Sequence, residues 1–149
     1  MNFAIVSASF YEDLANRLQS SAMATLEAAG HGEVAQFTVP GAFELPLAAS
    51  WLAQSGRFAG IACLGAVIRG ETSHYDLVCT EVARGIQQVS LRTGTPCAFG
   101  VLTCENLDQA LARSGGDKRD QGRLAAEALL AMVSLRKQVD SVAYGQDLP

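Results

Sequence analysis

No stretch of this sequence is long and apolar enough to cross a membrane, and no basic segment followed by a hydrophobic one opens it. A helical span is therefore excluded, and the protein is expected in the cytoplasm unless a targeting segment has been removed. Positive charge is scarce: 11 Lys and Arg against 15 Asp and Glu leave a formal net charge of −4. That balance argues against non-specific nucleic-acid binding and against a basic membrane patch. There is no C-x-x-C pair. Cys63, Cys79, Cys97 and Cys104 lie 16, 18 and 7 residues apart, which suits buried free thiols in a reducing compartment better than a zinc site. No G-x-G-x-x-G follows the first apolar run, so the dinucleotide fingerprint is missing. Internal repeats, linkers and low-complexity tracts are also missing. Charged residues make up only 17% of the chain and apolar ones 49%, which excludes disorder and predicts one domain over residues 1–149 with a real core.

Short apolar runs alternate with longer periodic segments. Residues 2–8 read as a strand. Residues 11–29 carry Leu14, Leu18, Ala22 and Leu26 at four-residue spacing, the stripe of a helix, stopped by Gly30 and Gly32. A strand is expected over 34–39, a helix over 42–54, and a strand over 59–68 that is apolar without alternation, as when both faces are buried. A third helix over 74–92 places Tyr75, Val78, Cys79, Val82, Ile86 and Val89 on one face. Ser73 and Asp76 are spaced as a capping box. A strand over 97–103 and helices over 106–114 and 121–138 complete the pattern, with a loose tail over 140–149. This order predicts an α/β fold: a parallel sheet with helices on both faces.

In such sheets ligands bind beyond the carboxyl ends of the strands. Three loops leave those ends with functional residue types: Ser9, Phe10 and Tyr11; Pro40 to Glu44; and Arg69 to His74. The last is a strand-to-helix loop of the kind that presents backbone N–H groups to an anion. It also carries His74, one of only two histidines, whose side-chain type titrates nearest neutrality. Together the loops offer aromatic surface, a carboxylate and an anion nest, which suits a flat heterocycle beside a phosphate. Taken singly, Phe10 and Phe43 read first as core, Thr72 and Ser73 as caps, and Arg113 as a solvated helix charge. His31 reads as a turn residue.

The stretch from Gly65 to Thr72 nearly matches the phosphate loop G-x-x-x-x-G-K-[ST], but Glu71 stands where the lysine belongs and would repel a polyphosphate. An NTPase is disfavoured. Phe99, near the start of its strand, and Arg113, near the end of a nine-residue helix of roughly 13 Å, are expected away from their own strand ends. If they act, they serve a neighbouring subunit, which predicts an oligomer with sites at its interfaces.

Four segments in order, Val39 to Pro46 (VPGAFELP), Gly65 to His74 (GAVIRGETSH), Phe99 to Thr103 (FGVLT) and Gln109 to Arg113 (QALAR), resemble the 6,7-dimethyl-8-ribityllumazine synthase family. The resemblance spans nearly the whole chain, and its Arg-Gly-x-Thr-x-His element is highly specific. It implies a three-layer, flavodoxin-like sandwich with a four-stranded parallel sheet. It also implies a transferase of riboflavin biosynthesis that condenses 5-amino-6-(D-ribitylamino)uracil with 3,4-dihydroxy-2-butanone 4-phosphate, releasing phosphate and water. No metal or organic cofactor is implied. By position, Phe10 stacks on the pyrimidine, while Ala42, Phe43 and Glu44 hold the ribityl chain and ring edge. Ala66, Val67 and Ile68 contact the ring through backbone groups. Glu71 and Thr72 bind the phosphate largely through N–H groups, Arg113 supplies its counter-charge, and His74 transfers protons. Phe99 and Arg113 come from the adjacent subunit of a homopentamer or a multiple of pentamers.

Two departures from the family pattern stand out. Gln121 precedes Gly122 where a lysine is common, with Lys118 or Arg119 as candidate replacements. The sequence also starts almost directly on its first strand, where relatives often carry a segment that pairs with a neighbour's sheet. A pentamer is expected, with a twelve-pentamer shell left open. A flavin-binding relative without turnover and a mainly structural shell protein are the competing classes.

Overall fold

The computed structural model describes residues 2–145. Its elements are β1 (Phe3–Ala8), α1 (Glu12–Ala28), β2 (Val34–Val39), α2 (Leu45–Gln54), β3 (Gly60–Ile68), α3 (His74–Thr93), β4 (Cys97–Cys104), α4 (Leu107–Arg113) and α5 (Gln121–Ala143). The strands form one all-parallel sheet in the order β2-β1-β3-β4. This is the doubly wound, flavodoxin-like arrangement.

The pleat of β1 explains why its sequence shows no polar alternation. Phe3 and Ile5 face a core built with Leu14, Leu18 and Leu26 of α1 and Leu129 of α5. Ala4, Val6 and Ala8 face a second core built with Leu45 of α2 and Val82 and Ile86 of α3. Both faces are covered, so every residue of β1 is buried. The four-residue stripe of α1 behaves as its spacing predicts: Leu14, Leu18, Ala22 and Leu26 are all buried. Each fully buried leucine contributes about 1.5–3 kcal/mol.

Helix termini explain where the segments stop. The Asn106 side chain accepts the Gln109 N–H at 2.9 Å and opens α4, and the Asp120 carboxylate accepts the Arg123 N–H at 3.2 Å and opens α5. Gly94 closes α3 in the left-handed region, with φ of 74°.

Three local expectations need correction. The segment over 42–54 is not one helix: residues Ala42–Glu44 form a single 3-10 turn before α2 begins. The Ser73 and Asp76 capping box does not form. Ser73 makes no side-chain cap, and the Asp76 carboxylate is taken by Arg69. At the far end α5 continues through Ala143, into the stretch expected to be loose; the last four residues lie outside those described.

Candidate active site

A cavity of about 790 Å³ opens over the carboxyl ends of β1 and β3 and against the first two turns of α3. Four chain segments build its floor and near wall. Phe10 and Tyr11 follow β1, with their rings edge-on at 5.0 Å. Gly41 to Glu44 follow β2, and the last three residues of β3, Ala66, Val67 and Ile68, form the floor. Gly70, Thr72 and His74 come from the loop that enters α3. Nine of the twelve residues singled out from the sequence are thereby brought together: Phe10, Ala42, Phe43, Glu44, Ala66, Val67, Ile68, Thr72 and His74.

The rim is unusually apolar for surface. Phe10 is 74% exposed and Phe43 61%. Aromatic rings left so open are not core residues, which disposes of the alternative reading of both. Glu44 is fixed by its own turn, its carboxylate accepting the Gly41 N–H at 3.0 Å.

In the loop between β3 and α3, Gly70, Glu71, Thr72 and Ser73 donate no backbone hydrogen bond among the described residues. The His74 N–H turns back to the Thr72 hydroxyl at 3.4 Å. The loop therefore carries unpaired donors at a helix N-terminus, as an anion site requires. Arg69 sits at its base and is fully engaged. Its Nε donates to Glu105 at 2.8 Å, and its two terminal nitrogens fork onto Asp76 at 3.2 Å each. Its guanidinium also lies 4.2 Å over the Tyr75 ring. These partners, Asp76 first, push the guanidinium pKa further up.

Four pocket residues on α3 were not singled out as ligand contacts: Tyr75, Leu77, Val78 and Glu81. The signal was there, since His74, Leu77, Val78 and Glu81 recur at helical spacing and share a face. Burial, then the neighbouring Cys79, raises the Tyr75 phenol pKa.

Three expected residues do not line the cavity: Glu71, Phe99 and Arg113. Phe99 pairs in register with Cys63, three residues short of the strand stretch that reaches the pocket at Ala66, and so about 10 Å away along the sheet. It is partly exposed on the edge strand β4, and its carbonyl accepts from the Gln121 amide at 3.4 Å. Arg113 is the last residue of α4 and donates to the Gln109 carbonyl at 3.1 Å within its own helix. With seven residues rather than nine, α4 carries Arg113 less far back than expected. Its charge still reaches Cys104, where it opposes the larger upward push of burial on the thiol pKa. The cavity consequently holds two carboxylates, Glu44 and Glu81, one histidine, and no lysine or arginine among its lining residues.

A smaller cavity of about 400 Å³ lies at the opposite ends of the strands, beside Phe3 and Val34, and contains none of the expected residues. No group of three or more His, Cys, Asp or Glu among the described residues could hold a metal ion, and no helix among them is long and apolar enough to cross a membrane. A protein-family model described as 6,7-dimethyl-8-ribityllumazine synthase matches residues 1–137 of the 149.

Proposed function

This chain belongs to the 6,7-dimethyl-8-ribityllumazine synthase family, transferases that form the lumazine of riboflavin biosynthesis by condensation, and on that premise we propose that the cavity is one part of an active site completed by a neighbouring subunit. The observation that carries the proposal is the missing cation. One substrate of the reaction bears a phosphate, yet the pocket offers carboxylates, a histidine and unpaired loop N–H groups with no lysine or arginine.

In this reading Phe10 stacks on the pyrimidine, Ala66, Val67 and Ile68 meet it through backbone groups, and Ala42, Phe43 and Glu44 hold the ribityl chain and ring edge. Glu71 and Thr72 bind the butanone phosphate through backbone N–H groups. Arg113 and Phe99 reach the pocket from the adjacent subunit, in a pentamer or a multiple of pentamers formed by a one-domain chain in the cytoplasm. His74 moves protons. Imine formation, phosphate elimination and ring closure each need a proton carried near neutral pH, which suits an imidazole. The leaving phosphate is stabilised by a nest and one guanidinium. Much of the acceleration comes from holding two reactive partners side by side.

The test is to mix purified protein with both substrates, following phosphate release and lumazine fluorescence, and to measure particle mass by sedimentation on the same sample. Turnover by a particle of five subunits or a multiple is expected. A folded monomer with full activity would overturn the shared site, and a folded oligomer without turnover would overturn the assignment of these residues.

A further inference from the structure

Arg69 ties the carboxyl end of β3 to the end of β4 and to the start of α3 at the pocket mouth. Its backbone N–H donates to the Cys104 carbonyl at 2.9 Å, extending the β3–β4 pairing one step past the strand. Its side chain then grips Glu105, just after β4, and Asp76, in the first turn of α3. The fork onto Asp76 closes a ring around the loop of Gly70 to Ser73, whose backbone donors are otherwise unsatisfied. The loop is open at Gly70, where a Cβ would meet no atom within 4 Å. The guanidinium also backs the Tyr75 ring, a pocket wall residue, from 4.2 Å.

All three nitrogens of Arg69 are committed to carboxylates, so it is not itself the counter-charge for a bound anion. Its second effect is electrostatic. Asp76 lies two residues beyond His74, at the helix end where the loop donors converge. Left bare, that carboxylate would repel a phosphate dianion.

We infer that Arg69 is a positioning residue, which clamps the Gly70 to Ser73 loop in its anion-binding shape and cancels the Asp76 charge beneath it. The inference rests on the assignment of this loop to the substrate phosphate. It predicts a selective defect: weaker binding of the phosphorylated substrate, with the pyrimidine substrate little affected.

The experiment compares the full-length enzyme with its Arg69→Ala, Arg69→Lys and Arg69→Ala/Asp76→Asn forms. The readouts are KM for each substrate, inhibition by inorganic phosphate, and thermal unfolding. Arg69→Ala should raise the inhibition constant for phosphate and the KM of the four-carbon phosphate by roughly three- to tenfold, with the pyrimidine KM within about twofold. Arg69→Lys keeps a charge without the fork and should fall between. Adding Asp76→Asn should restore phosphate inhibition only in part, because the repulsion is gone and the clamp is not rebuilt. Should Arg69→Ala not fold, Arg69→Lys alone must show the same selectivity. Equal rises in both KM values, or an unchanged inhibition constant, would overturn the clamp. Failure of phosphate to compete with the four-carbon substrate in the unaltered enzyme would overturn the loop assignment, and the clamp with it.

Discussion

The Cα of Gly122 rests on the main chain of Leu18, so close that a methyl group there would overlap the Leu18 carbonyl oxygen and lie 3.0 Å from the carbonyl carbon. Gly122 is in the first turn of α5, and Leu18 is the centre of the buried stripe of α1. The contact sets how closely the two helices cover one face of the sheet. Because the obstacle is backbone, it cannot swing away as a flexible side chain would. Gly122→Ala is expected to cost about 2–3 kcal/mol, read as a fall of roughly 5–10 °C in the unfolding midpoint. Gly32→Ala, where a Cβ meets nothing within 4 Å, should stay within about 0.5 kcal/mol of the parent.

The cysteines give a stability signature in alkali. Cys63 is fully buried in the core that β1 shares with α2 and α3, and burial, helped by the nearby Cys97, pushes its thiol pKa far above the ordinary value of 9.0. Burial also raises Cys79, Cys97 and Cys104. A raised pKa means that the unfolded chain gives up these protons first. The unfolded state then binds fewer protons, and stability falls as pH rises past the free-thiol range. Below that range the contribution is fully present, so stability should be flat with respect to these groups near neutrality. Above about pH 9 the Cys63 thiol, kept protonated by the fold, steepens the loss by about 1.4 kcal/mol per pH unit. Denaturant titrations at pH 7 to 10.5 on the parent and on Cys63→Ala should show a shallower alkaline slope in the variant.

His74 separates chemistry from architecture. Its side chain is exposed at the start of α3, and its structural bond is made by the backbone N–H to Thr72. His74→Asn keeps that bond. The unfolding midpoint should remain within the equivalent of about 0.5 kcal/mol, while kcat falls about a hundredfold and both KM values move little. A matching loss in KM would assign His74 to binding rather than to proton transfer.

The elements were readable because each rests on a pattern that tertiary packing only reinforces. β2 matches its expected limits, and α1 and α3 match theirs within two residues. The floor and near wall of the pocket were readable for the same reason, since strand ends follow from strands. Asp76 was misread because a three-residue spacing suits a capping box. Its side chain is a methylene shorter than the usual glutamate, and the forked guanidinium of Arg69 is the stronger partner. Tyr75 and Val78 were assigned to the apolar face of α3 alone. The first two turns of that helix project past the sheet, so residues at core spacing there line the cavity instead. Phe99 and Arg113 do not line the pocket of their own chain; the proposed link to it runs through a second copy, which no periodicity within one chain can report.

That relation can be tested by complementation. In the proposed ring each site takes His74 from one subunit and Arg113 from the next, a head-to-tail contact in which the two residues are never supplied by the same chain. Arg113→Ala alone should raise KM for the butanone phosphate about tenfold or more, since a charge-assisted contact to the phosphate is lost, with the assembly mass unchanged. Among the described residues its side chain hydrogen-bonds only to the carbonyl of Gln109 in its own helix, so removal should leave the fold intact. Unfolding and reassembling Arg113→Ala with His74→Asn in equal amounts creates interfaces in which the first variant provides an intact His74 and the second an intact Arg113. Random mixing makes roughly one interface in four complete, and with the butanone phosphate well below the parent KM, activity should recover to about a quarter of the parent's. If both residues served the same chain, every site in the mixture would carry one defect, and activity would not rise above that of the two variants assayed apart.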